Sequence, residues 1–129
     1  MKSYTDIEQS KKLAEILPLE SADMSWVSNG LGKPFARTIP IKGDPEELCA
    51  CWSLAALSEF ILPYIEDDNG NNYKFYISKD GQYRWIAYYE SDNASIHIKR
   101  WNGIEMITEP NPIDACYKII VLSYEQKLI

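Results

Sequence analysis

The feature that most restricts what this chain can fold into is an apolar run from Leu48 to Leu62, interrupted by Ser53, Ser58 and Glu59 and closed by Pro63. It is too short and too broken to cross a bilayer, which takes about 20 consecutive apolar residues. Such a run has to be buried inside the protein. Directly before it stands Asp44-Pro45-Glu46-Glu47. Asp44 can cap a helix, Pro45 suits the first helical position, and the two glutamates favour the positive end of the helix dipole. The expectation is therefore a helix over 45–62, apolar on nearly every side and central to the core.

The flanking segments supply the remaining elements. Thr5 and Glu8 have the spacing of a capping box, and Ile7, Ala14 and Leu17 repeat at helical spacing. That predicts a first helix from Tyr4 to Leu17, stopped by Pro18, with one further turn over Glu20 to Met24. Ser25 to Lys33, holding Asn29-Gly30 and Gly32, reads as a loop. Phe35 to Ile41 reads as an edge or irregular strand, because Pro40 lacks a backbone donor. Four strands follow in the expectation: Tyr73–Ser78, Tyr83–Glu90, Ser95–Trp101 and Ile104–Thr108. Asp80-Gly81, Asp92-Asn93 and Asn102-Gly103 separate them and are hairpin turn signals. Asn111-Pro112 then opens a last helix, with Ile113, Cys116, Ile120 and Tyr124 on one stripe. The fold class is α+β: an antiparallel meander of about four strands with three helices packed on one face.

A length of 129 residues fits a single domain spanning 1–129 and suffices for a core without disulfides. An apolar fraction of 46% and a charged fraction of 25% are those of a globular chain. The net charge of −6 argues against a basic groove, so direct nucleic-acid binding is not expected. Cys49, Cys51 and Cys116 make an odd count with no second cysteine pair, and His97 is the only histidine. Neither a disulfide framework nor a zinc site follows, and no cofactor motif is present. Asn29-Gly30-Leu31-Gly32-Lys33 is too short for a phosphate-binding loop. Reduced thiols and a start, Met1 to Asp6, without a signal-peptide pattern point to the cytoplasm.

Three stretches carry a likeness to known sequences. They are Tyr4-Thr5 with Glu8-Gln9-Ser10-Lys11-Lys12-Leu13-Ala14-Glu15-Ile16-Leu17-Pro18 through Asp23-Met24; Cys51-Trp52-Ser53-Leu54-Ala55-Ala56-Leu57; and Asn111-Pro112-Ile113-Asp114-Ala115-Cys116. Together they resemble a family of short uncharacterised proteins of gut anaerobic bacteria, associated with their phages and mobile elements. The resemblance implies a cytoplasmic location and a mobile-element setting. The family has no known activity, so it transfers no catalytic residue.

One constellation could carry covalent chemistry. Cys49-Ala50-Cys51-Trp52-Ser53 is similar to the papain-like signature, in which a nucleophilic cysteine precedes Trp at a helix start. In that reading Cys51 is the nucleophile, His97 the base, and Asn102 (or Asn111 or Asp114) orients the imidazole. The match lacks the glycine and one residue between the cysteines. Pro45 also puts the helix start well before Cys51. The simpler reading makes Cys51 and Trp52 core residues. His97 alternates with Ile96 and Ile98, which turns it outward beside Ser95 and Lys99.

A second constellation is aromatic. In the strand Tyr83–Glu90, Tyr83, Trp85 and Tyr89 share one face and Ile86 and Tyr88 the other, while Trp101 falls on the His97 side. If helices cover one face, the other presents Tyr88, Trp101 and their neighbours as an interaction surface. The loop Ser25 to Lys33 is the alternative surface. Asp44, Glu46 and Glu47, and again Glu66, Asp67 and Asp68, form acidic groups, which admit a third reading as a decoy for a DNA-handling protein. Capping and turn formation account for both groups without it. The leading expectation is a non-enzymatic interaction protein whose partner is another protein, a second copy of the chain included.

Overall fold

The computed structural model describes residues 2–28, 32–38, 47–67, 70–91 and 106–129. Within them the chain forms two compact units, Met1–Glu59 and Phe60–Ile129. Helices and two antiparallel sheets make it an α+β protein.

The first unit begins with helix α1, Ile7–Ala14. It is shorter at both ends than the expected Tyr4 to Leu17, and its cap lies one residue later than Thr5. Asp6 is the cap and accepts from the Gln9 amide at 2.7 Å, while the Gln9 side chain accepts from the Asp6 amide at 3.1 Å. Thr5 does not cap because its hydroxyl is engaged elsewhere, accepting from the Trp52 amide at 3.1 Å. Leu13 is fully buried, and the Leu17 amide closes the helix on the Leu13 carbonyl at 2.7 Å before Pro18. A single 3-10 turn follows at Leu19–Ser21.

Three short strands complete a sheet: β1, Met24–Val27; β2, Phe35–Arg37; and β3, Glu47–Cys51. The order is β2-β1-β3, and both pairings are antiparallel. Ser25, Trp26 and Val27, expected in a loop, are therefore strand residues. Helix α1 packs against β3.

The expected continuous helix over 45–62 does not form. Residues 47–51 are strand β3, and only Leu54–Ser58, α2, is helical. Ser53 explains the break. Its side chain caps α2 by accepting from the Ala56 amide at 3.2 Å, which requires the extended backbone it adopts, φ −74° and ψ 170°. A helix coming from the N-terminal side cannot pass through a residue in that conformation. Upstream of Ser53 the backbone finds its partners in β1, with Met24 opposite Cys51 and Trp26 opposite Cys49. Asp23 holds the junction by accepting from the Ser53 amide at 2.9 Å and from its hydroxyl. The start signals Asp44 and Pro45 lie outside the described residues.

The second unit is a meander in sequence order: β4, Tyr64–Glu66; β5, Asn72–Lys79; β6, Trp85–Ser91; and β7, Ile107–Glu109. Gly70 and Gly81 adopt φ +81° and +87° in the β4–β5 and β5–β6 turns, a conformation glycine takes without a Cβ penalty. The expected strand Ser95–Trp101 lies outside the described residues. The strand expected from Tyr83 starts at Trp85 because the turn occupies residues up to Arg84, whose carbonyl accepts from the Asp80 amide at 2.7 Å.

Helix α3, Pro112–Glu125, packs against β6 and β7. Asn111 caps it as the sequence indicates, accepting from the Asp114 amide at 2.9 Å. Ile65, Tyr73, Ala87, Tyr89 and Ile107 of the sheet form one buried cluster with Ala115 and Ile119 of α3. Ile113, Cys116 and Ile120 are buried as the stripe requires, whereas Tyr124 is exposed. The three helices thus do not share one face of one sheet: α1 has its own partner in β3, and α3 has its partners in β6 and β7.

Candidate functional site

Thr5 gathers the buried polar groups of the first unit. Its amide donates to the Trp52 carbonyl at 3.0 Å. Its own carbonyl accepts from Trp26 Nε1 at 2.9 Å and from Cys51 Sγ at 3.4 Å. The hydroxyl has one proton to give, and Cys51 Sγ stands 3.7 Å away as one acceptor. Ser10 Oγ lies 2.7 Å from Thr5 Oγ1, a pair in which either hydroxyl can donate, and Thr5 Oγ1 also accepts from the Trp52 amide. Every group in this cluster has a role in holding the N-terminal segment against the end of β3.

Cys51 is therefore a buried thiol at the end of a strand, three residues before α2 and outside any helix. Burial raises its pKa above the ordinary thiol value, and this outweighs the hydrogen bonds from Thr5 and Ser10 that act the other way. The protonated form is the one that can donate to the Thr5 carbonyl. A nucleophilic cysteine needs the reverse environment, one that stabilises the thiolate. Burial likewise raises Cys49, and it pushes Cys116 up to about 11. His97 and Asn102, the other members of the expected catalytic set, lie outside the described residues. Asn111 and Asp114 are bound to each other at the start of α3, with Asn111 Nδ2 donating to Asp114 Oδ2 at 2.9 Å.

No three His, Cys, Asp or Glu side chains among the described residues come together as metal ligands would, and none of the described helices is long and apolar enough to cross a membrane. Two described members of the acidic groups, Glu47 and Asp67, are held by hydrogen bonds within the fold. Glu47 accepts from Ser25 Oγ at 3.1 Å. Asp67 accepts from the Asn71 amide at 2.9 Å and from the Tyr73 hydroxyl at 3.1 Å.

The second sheet offers a different kind of site. Alternation along β5 and β6 sends Tyr73, Phe75, Ala87 and Tyr89 to the cluster with α3. The residues between them, Lys74, Tyr76, Tyr88 and Glu90, therefore point to the opposite face. Register places Tyr76 across from Tyr88 and Lys74 across from Glu90. The two tyrosine rings stack with centroids 5.6 Å apart and planes at 21°, and Lys74 Nζ lies 5.9 Å from the Tyr76 centroid. Tyr64 of β4 pairs with Lys74 and extends the same face at 54% exposure.

Alternation thus sets Tyr88, which is half-buried, on the face opposite the cluster with α3. Trp101, its expected companion, lies outside the described residues. Sequence reasoning missed Tyr64, because a three-residue strand directly after Pro63 carries too short an alternation to be read. It left Tyr76 unassigned to this face, although the cross-strand position of Tyr88 specifies it once the Asp80-Gly81 turn fixes the register.

Comparison with known protein families, with characterised proteins and with solved structures finds no match.

Proposed function

We propose that this chain is a small non-enzymatic interaction protein, an accessory protein of a mobile element or phage, that meets a protein partner through the sheet face bearing Tyr64, Lys74, Tyr76 and Tyr88. One observation carries the reading: the stacked Tyr76–Tyr88 pair with Lys74 beside it, on the face of β5 and β6 that α3 does not cover. Amphipathic tyrosines suit such a role because the ring supplies apolar area with little side-chain entropy to lose, while the hydroxyl tolerates water. The mobile-element setting rests on the family resemblance of the three sequence stretches. The raised thiol of Cys51 favours a structural over a catalytic part for that residue.

The test is a photo-crosslinking amino acid placed at position 88 and, as a control, at Tyr83, which is 76% exposed in the β5–β6 turn. Irradiation in cells is expected to give a discrete protein adduct from position 88 that position 83 does not give. No adduct from 88, or the same set from both positions, would overturn the reading.

A further inference from the structure

We draw no further inference here: the strongest candidate, the aromatic face of β5 and β6 around Tyr76 and Tyr88, belongs to the site already described, and nothing in the structure shows what covers it.

Discussion

The two units of this chain reach their folds by different routes. In Phe60–Ile129 the described strands pair in sequence order, and two of the connections are tight turns. The helix that packs on that sheet carries its own cap and its own apolar stripe. In Met1–Glu59 the partners come from farther apart. Strand β3 pairs with β1, at least 20 positions earlier, and the segment around Thr5 pairs with Trp52 and Ser53. The first unit depends on buried polar groups meeting across that separation, whereas the second depends on an alternating apolar face. Substitutions at the two kinds of junction separate these routes.

The largest effect is expected at Trp52. It is fully buried, and its Nε1 donates to Ser21 Oγ at 3.0 Å. Trp52→Ala removes the ring and leaves the Ser21 hydroxyl without that donor. The expected loss is about 3–5 kcal/mol in a urea melt. A loss under about 1 kcal/mol would mean that this residue does not hold the first unit together.

Thr5→Val comes next. The substitution keeps the shape but removes the hydroxyl, so the buried Trp52 amide loses its acceptor and Ser10 Oγ its partner. The cost is expected at about 1–3 kcal/mol, the range for leaving buried polar groups unsatisfied. In the second unit Asn111→Ala deletes the cap bond and the side-chain bond to Asp114, and is expected to cost about 1 kcal/mol. Reversing that order would show that the polar junction matters less than the cap.

The second unit has its own test in pH. Cys116 is buried, and its folded pKa is raised to about 11. An unfolded thiol releases its proton near pH 8.5, so above that the unfolded state gains a charged form the folded state refuses. The contribution is fully present below about pH 8.5 and is lost as pH rises toward the folded value. Stability is expected to fall by about 1 kcal/mol from this group by about pH 9.5. Cys116→Ala should flatten that part of the slope, as read from urea midpoints across pH. An unchanged slope in the variant would show that Cys116 does not titrate differently on unfolding.

How much of this was legible in the sequence follows from the same contrast. The alternation of Tyr73 through Tyr89, the glycines at 70 and 81, and Asn111-Pro112 are local signals, and each marks an element the structure contains. The α+β class and the face of Tyr88 could be read from them. Leu48 to Leu62 was misread because a short apolar run has no period that separates a strand from a buried helix. Ser53 held the deciding information as a cap, yet within the run it looked like an interruption. What made 47–51 a strand was pairing with Met24–Val27, and no local propensity announces a partner that distant. For the site, Cys51 drew attention through a motif that presumes a helix start. The strand puts the thiol inside the protein instead.

The smallest expected effect is also the sharpest test of that misreading, and it sits at Leu48. In an all-apolar helix over 45–62 this side chain would belong to the core, and truncating it would cost about 2–5 kcal/mol. In strand β3 it is 49% exposed and stands at the register shift between the Trp26–Cys49 and Val27–Glu47 pairs. Leu48→Thr should therefore change stability by no more than about 0.5 kcal/mol, because the position is open and threonine suits a strand. The same substitution at Leu57, fully buried in α2, should fall in the larger range and serves as the internal control. Equal, large losses at both positions would restore the helix and remove β3. A small loss at 48 beside a large one at 57 would place the strand-to-helix boundary between those positions, on the side of Ser53 that the structure assigns.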